Sequence, residues 1–279
     1  TTYDHENAER LSTALNIIAN NADDTQGAGW LATSLGAFAD YRHGDRGQAR
    51  RTANEVRHSL HGHADDPATR SKPWQTAGIV ADAMDKLGMR DRLLPQYLRP
   101  LKPDMVIAGP AFTGCGEEVT DINCNDNDIR FSMLESIKPY DIPVWQTNMT
   151  DGCAHWGGIM TRSTRQAGGC GAIIDGGCRD CNDILEQGFP VFVRFFHCGS
   201  SLGRWKITSY QQPIQIGHVT IEPGDFMMAD IDGVLAVPKA HIMEVLTKAE
   251  EMAAREDNMS KDMAEGLGVR GAYAKYGTI

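Results

Sequence analysis

Gly171-Ala172-Ile173-Ile174-Asp175-Gly176-Gly177-Cys178-Arg179-Asp180 is the stretch on which the reading of this chain turns. Residues 172–174 read as a short buried strand that breaks on two glycines, which permit tight backbone geometry and the close approach of another group. The break presents an arginine and an aspartate side by side. Arg179 can fork onto a carboxylate or phosphate, and Asp180 is a hard oxygen ligand suited to a divalent cation such as magnesium. A strand-end turn with a surface Arg–Asp pair would carry the same letters, so the rest of the chain has to decide.

The chain has 279 residues, 41% of them hydrophobic, enough for a substantial core, and its 23% of charged residues is ordinary for a globular protein. A net charge of -10 argues against general affinity for nucleic acid and favours a local basic site for anions. No apolar run is long enough to span a bilayer, and the first twenty residues lack the basic, apolar, small-residue order of a secretory signal. Seven cysteines without a framework spacing read as reduced thiols of a cytoplasmic protein.

Residues 1–72 differ in texture from the remainder. Asp4 is a candidate cap for a helix with Leu11, Leu15 and Ile18 on one face. A second helical stretch holds Trp30, Leu31, Leu35 and Phe38, and a third, over 48–60, carries Arg50, Arg51, Arg57 and His58. Acidic neighbours make that third helix a solvated face rather than a nucleic-acid contact. His58, His61 and His63 read as part of a polar linker, since no cysteine or paired ligand helix completes a zinc pattern. The segment is expected to be a helical extension packed on the main domain, 73–279, or on a neighbouring subunit.

From Trp74 the pattern becomes α/β. Helical spacing predicts helices over 76–87, 126–138, 157–167, 182–187 and 240–259. Strands are expected over 105–112, 143–146, 170–174, 191–196, 226–230 and 234–237, with shorter antiparallel ones at 207–210, 214–216 and 218–221. A turn at 114–118 should end the first strand, and 230–233 should be a tight turn.

Three constellations carry chemistry. In 151–160 (DGCAHWGGIM) two glycines enter a helix, leaving backbone N–H groups and the helix dipole as an anion seat; close helix–strand packing would use the same glycines. Asp180, with Asp175 nearby, fits a magnesium site filled mostly by water, although Asp175 before a glycine is also an ordinary turn residue. Cys178-x-x-Cys181 lacks a second pair for zinc. His155 lies close to this region in sequence. No nucleophile elbow is present. Arg162, Arg165 and Arg204 would suit a longer or more acidic substrate, such as a phosphate ester or sugar acid, if they are not solvated surface.

Residues 76–88 (TAGIVADAMDKLG), 107–113 (IAGPAFT), Gly157-Gly158-Ile159-Met160-Thr161, the signature from Ile174 to Asp180, Pro223-Gly224-Asp225 and 230–238 (DIDGVLAVP) resemble, in order, the motifs of the RraA-like family. That family includes the class II 4-hydroxy-4-methyl-2-oxoglutarate/4-carboxy-4-hydroxy-2-oxoadipate aldolases and the regulator of ribonuclease E activity. The resemblance implies an α/β/β/α sandwich of the phosphohistidine swivelling-domain type, assembled as trimers or hexamers with sites between subunits. It implies a divalent-metal-dependent lyase that releases pyruvate from a small 4-hydroxy-2-oxo acid, with oxaloacetate decarboxylation as a side activity. Arg179 would bind the pyruvyl part, Asp180 would hold Mg²⁺ or Mn²⁺, and backbone amides of Gly157, Gly158, Ile159 and Met160 would hold the carboxylate. Glu256 is the candidate contributed by a neighbouring subunit. Asp180 is kept here, where the ribonuclease-regulator branch replaces it; Gly158 stands where the aldolases carry an acidic residue that supports metal-bound water. Asp151, Asp175 and His155 are the candidates to take that part. The alternative is a non-catalytic member that binds a protein partner.

Overall fold

The computed structural model describes residues 77–124 and 126–277; the extension read over 1–72, with its arginine-rich stretch and histidine cluster, lies outside them. The two halves of the fold share one twelve-residue strand, β2 (Ile107–Glu118). On one side it pairs in parallel with β3 (Ile142–Gln146), followed by β5 (Ala172–Cys178) and β6 (Val191–Phe196). On the other it pairs with β10 (Phe226–Ala229), which forms an antiparallel pair with β11 (Val234–Val237). β1 (Arg99–Pro100) edges β6, β4 (Ala154–Trp156) runs beside the end of β5, and β7 (Trp205–Tyr210) covers the far half of β2. The sheet order is β1-β6-β5-β3-β2-β10-β11, with a separate hairpin of β8 (Ile214–Ile216) and β9 (Val219–Ile221).

The near-continuous apolar runs of the central strands follow from burial on both faces, as parallel sheets require. Ile107, Ile142, Val144, Ile173 and Phe192 face a middle core closed by Met227, Ala236 and the β8–β9 hairpin. The opposite face of β10 and β11 packs, through Phe226, Met228, Leu235 and Val237, on α1 (Ala77–Lys86) and α5 (Ile242–Ala264). The opposite face of β3, β5 and β6, with Trp145, Ile174 and Val191, packs on α2 (Asn127–Glu135), α3 (Gly158–Gln166) and α4 (Cys181–Glu186). Helix, sheet, sheet and helix therefore stack in that order around a curled sheet, which is the expected α/β/β/α sandwich. No helix of the described residues is long and apolar enough to cross a membrane.

Two expectations fail at glycines. The turn at 114–118 is strand: a Cβ at Gly114 would come 3.0 Å from the Trp145 indole, and one at Gly116 would be 2.3 Å from the Lys206 carbonyl. These glycines admit the Trp145 and Trp205 indoles, which stack at 5.8 Å, rather than reversing the chain. Likewise β5 does not break at Gly176-Gly177 but runs through them to Cys178, with a register shift against β6 between Ile174 and Gly177. α6 (Val269–Tyr276), β4 and β1 are elements the apolar periodicity missed. The last two are too short for a pattern to register.

Glu250 on α5 follows the buried Ala249, and its own burial pushes its carboxyl from 4.5 up to about 7. The folded state thus binds the proton more tightly than the unfolded chain, so this contribution to stability is complete below pH 4.5 and is lost as pH rises through 7. Glu250→Gln is expected to flatten that slope: thermal melts from pH 4.5 to 8 should show a smaller fall in Tm than wild type and a higher Tm at pH 8.

Candidate active site

β5 aims the signature. A Cβ at Gly176 would lie 2.5 Å from His155 Nδ1 and 2.8 Å from Thr147 Cγ2, and one at Gly177 2.6 Å from the Cys153 carbonyl. Only glycines let β5 pass this closely under β4. The Arg179 amide then donates to the Trp156 carbonyl at 3.0 Å, fixing the strand end against β4. Asp180 turns the chain into α4 with a left-handed backbone, φ 57°. Asp is among the few non-glycine residues that adopt this region readily. Its side chain makes no capping bond to α4 and projects away from that helix, half exposed.

β4 leads into α3, whose first turn is pinned from below. The Trp156 indole N–H donates to Thr161 Oγ1 at 2.9 Å, and that hydroxyl donates to the Gly157 carbonyl at 3.1 Å. Trp156 is itself buried edge-on against Trp145. The N–H groups of Gly158, Ile159 and Met160 have no carbonyl partner within the helix, and the Gly158 N–H donates to Asp180 Oδ2 at 3.2 Å. A Cβ at Gly157 would stand 2.9 Å from Asp180 Oδ2 and 3.2 Å from Arg179 Cγ. Both signature side chains therefore lie over this glycine. Arg179 Nε is 3.8 Å from Asp180 Oδ2, and both groups are open to solvent. Beside them is an open cleft of about 570 Å³ bounded by Ile159, Arg162, Asp180, Cys181, Asn182 and Asp183. Ile159 projects outward at 75% exposure, whereas the Met160 side chain is turned into the core.

Gly157 has an extended backbone, φ -168°, which any residue adopts. Gly157→Ala is accordingly expected to leave Tm nearly unchanged while displacing the Asp180 carboxylate and the Arg179 stem. Activity should fall about tenfold or more, because misplacing a positioned group by about 1 Å costs on that scale. Thermal melts and steady-state rates on the same preparation separate the two effects.

The structure brings Arg179, Asp180, Gly157 and Gly158 together with the first turn of α3, which holds Ile159 and Met160; Asp151, Asp175, His155 and Glu256 lie elsewhere. Asp175 alternates to the other face of β5, where it is buried with Arg194 Nε at 3.6 Å; burial raises its pKa and Arg194 offsets part of that rise. Burial holds Tyr97 up at about 12, with the Asp175 charge adding to it. His155 is buried edge-on to Trp205 at 5.0 Å. Its Nδ1 accepts from the Gly177 N–H at 3.0 Å, and Nε2 faces Cys153 Sγ at 3.7 Å. Burial, with the charges of Arg194, Arg130 and His197, pushes it down to about 3, so it is neutral near pH 7 and turned away from the cleft. Asp151 is exposed before β4. Glu256 is half-buried on α5; burial raises its pKa, and the charges of Asp82 and Asp257 add to it.

None of the three groups offered to compensate for Gly158 occupies its place; Asp183 does. A Cβ at Gly158 would fall 2.1 Å from Asp183 Oδ2. Asp183 Oδ1 pairs with Arg162, and its Oδ2 accepts from Gln187 Nε2 at 3.3 Å. The charged donors around the cleft are hard oxygens, the carboxylates of Asp180 and Asp183; Cys181 and Asn182 also line it, and burial raises the Cys181 thiol's pKa, which disfavours the thiolate a soft metal would take. Among the described residues no three His, Cys, Asp or Glu side chains converge as a closed metal cage. That set fits magnesium, which keeps several waters and takes one or two carboxylates plus substrate oxygens, and does not fit a structural zinc site.

Fold and site together define an α/β/β/α protein with an Arg–Asp signature over a glycine-entered helix. The RraA-like family pattern, described as Aldolase/RraA, matches residues 77–236, more than half of the chain, and the chain belongs to that family. It is 27% identical over 201 residues to Protein DlpA of Legionella pneumophila, matching 71% of this chain but spanning only 32% of that longer protein. It is 26% identical over 197 residues, 70% of this chain and 87% of the other, to a protein of Halalkalibacterium halodurans named "Putative 4-hydroxy-4-methyl-2-oxoglutarate aldolase". The crystal structure of Streptomyces coelicolor RraAS2, titled an unusual member of the RNase ES inhibitor RraA protein family, superposes with a TM-score of 0.58 at 24% identity. It covers 65% of this chain and 89% of that one, and the likeness is one of fold.

Proposed function

We propose that this chain is a divalent-metal-dependent lyase that cleaves a 4-hydroxy-2-oxo acid by a retro-aldol reaction and releases pyruvate. The observation that carries this reading is the placement of Arg179 and Asp180 over Gly157, beside the first turn of α3 and an open cleft. The relative named as an aldolase supports it. Asp180 would hold the cation, with Mg²⁺ or Mn²⁺ as candidates, and the bound metal would supply Lewis acidity to the 2-oxo group. The Arg179 guanidinium would bind the pyruvyl end and stabilise the negative charge that develops on the keto oxygen as the C3–C4 bond breaks. The N–H groups of Ile159 and Met160, at the positive end of α3, would receive the carboxylate. The Gly158 N–H already serves Asp180, so the seat orients the metal ligand and the substrate together. Oxaloacetate decarboxylation passes through the same pyruvate enolate and belongs to the same proposal. So does assembly into trimers or paired trimers with Glu256 supplied by a neighbouring copy.

The test is pyruvate release from 4-hydroxy-4-methyl-2-oxoglutarate and from oxaloacetate, with Mg²⁺, with Mn²⁺ and after chelation. Release that requires metal supports the lyase reading. No release from either substrate together with no metal binding overturns it in favour of the partner-binding class, which predicts a protein complex that survives chelator.

A further inference from the structure

The peptide unit between Gly157 and Gly158 has a contact at each end. Its N–H, that of Gly158, donates to Asp180 Oδ2 at 3.2 Å. Its carbonyl, that of Gly157, accepts from the Thr161 N–H at 3.0 Å and from the Thr161 hydroxyl at 3.1 Å. A helical threonine that bonds back to the carbonyl four residues earlier is commonplace, and that contact alone would mean little. Here the direction of the hydroxyl is fixed. An indole N–H can only donate, so Trp156 Nε1, 2.9 Å from Thr161 Oγ1, takes a lone pair of that oxygen and leaves its proton for the Gly157 carbonyl. Both side chains are fully buried, and Trp156 stands edge-on to Trp145 with ring centroids 5.2 Å apart. The bonds therefore run in one sense, from indole to hydroxyl to peptide to carboxylate. Each donor along such a chain polarises the next, by about 10–30% per bond. Trp156 also accepts the Arg179 amide on its own carbonyl at 3.0 Å, so one residue ties down both halves of the signature.

The Gly158 N–H and the nearest approach of Arg179 Nε, at 3.8 Å, both fall on Oδ2 of Asp180, which leaves Oδ1 for a cation. We propose that Thr161 and Trp156 are positioning residues of the Asp180 cation site. They set the orientation of the Gly157–Gly158 peptide, and that peptide commits one oxygen of Asp180 and leaves the other to the metal. The inference rests on the metal-dependent reading above. Neither residue touches metal or substrate, since both act through the peptide. The same helix supplies a control: Thr164 is equally buried, and its hydroxyl has no hydrogen-bond partner among the described residues.

The experiment measures Mn²⁺ binding to the full chain without substrate, by electron paramagnetic resonance and calorimetry. It compares wild type, Asp180→Ala, Thr161→Val, Thr161→Ser, Trp156→Phe and Thr164→Val, with circular dichroism to check that each is folded. Thr161→Val keeps the shape of the side chain and removes the hydroxyl. It is expected to weaken Mn²⁺ about tenfold, the lower end of the range for losing an outer partner of a metal ligand. Thr161→Ser restores the donor and should restore most of the affinity. Trp156→Phe should fall between them, because the hydroxyl can still reach Gly157 but is free to turn away. Thr164→Val should bind like wild type. In pyruvate release, Thr161→Val should need more Mn²⁺ for its half-maximal rate, while its rate at saturating Mn²⁺ falls by a smaller factor. Equal weakening in Thr161→Val and Thr164→Val, or a Thr161→Ser no better than Thr161→Val, overturns the inference and reduces Thr161 to a packing residue. Binding lost in Asp180→Ala but unchanged in Thr161→Val overturns it and leaves the lyase reading intact. A folded Trp156→Phe that binds like wild type removes Trp156 from the proposal, and overturns all of it where Thr161→Val does not fold. Absence of Mn²⁺ binding in wild type overturns both readings together.

Discussion

Asp180→Asn is expected to remove metal-dependent pyruvate release almost completely, by about 10³-fold or more in kcat, while the protein stays folded. The size follows from what the carboxylate would do. Losing a single preorganised donor at a developing oxyanion costs about 10²- to 10³-fold, and losing the group that holds a Lewis acid forfeits the polarisation of the 2-oxo carbonyl as well. The choice of Asn over Ala follows from the backbone. Residue 180 has φ 57°, where a side chain without a local polar contact costs about 1–2 kcal/mol. Asn tolerates this region and its carbonyl can still accept from the Gly158 N–H, as Asp180 Oδ2 does at 3.2 Å. Asp180→Ala should therefore lose both activity and some stability, and Asp180→Asn activity and cation binding alone. Calorimetric Mn²⁺ titration with thermal melts distinguishes them. An Asp180→Asn variant that binds Mn²⁺ like wild type and still releases pyruvate would remove Asp180 from the mechanism.

Most of the architecture was legible because β3, β5 and β6 are buried on both faces and so read as unbroken apolar runs. The two misread breaks share one cause. Gly114, Gly116, Gly176 and Gly177 read locally as chain breakers, yet each marks a place where another group presses on a continuing strand: indoles at the first two, and His155 and the Cys153 carbonyl at the others. Local propensity cannot distinguish a turn from a close approach, because both need the missing Cβ. Of the expected site residues, Arg179, Asp180 and the Gly157–Gly158 turn lie together. Asp175 was drawn in by its nearness in sequence, although strand alternation after Ile174 sends it to the opposite face. His155 was drawn in the same way, and its role is to receive the Gly177 amide where β4 and β5 touch. Asp183 was overlooked, since its meaning depends on α3 and α4 meeting in space. The available signal was its place three residues after Asp180, on the same side of a helix turn, together with a glycine at 158 that leaves room for it.

Arg179→Ala should separate binding of substrate from binding of metal, which Asp180 variants cannot do. The guanidinium lies 3.8 Å from Asp180 Oδ2, but both side chains are close to half exposed. Their mutual attraction is therefore worth no more than about 0–1 kcal/mol, and the cost of the substitution falls on the substrate rather than on the fold. Removing a positive neighbour leaves the Asp180 carboxylate at least as attractive to a cation, so Mn²⁺ affinity should hold or rise slightly. Activity should drop by about 10²- to 10³-fold, the scale for one lost donor at a developing oxyanion, with KM for the 2-oxo acid rising as well. Arg179→Lys keeps the charge but not the planar fork that meets a carboxylate through two bonds, so it should restore only a minor part of the rate. Added guanidinium ion should rescue Arg179→Ala more than Arg179→Lys, because only the first leaves a space over Gly157. Equal loss of metal and substrate in Arg179→Ala would instead mean that the arginine maintains the turn. In that case the Arg179 amide bond to the Trp156 carbonyl would not be enough to hold the signature in place.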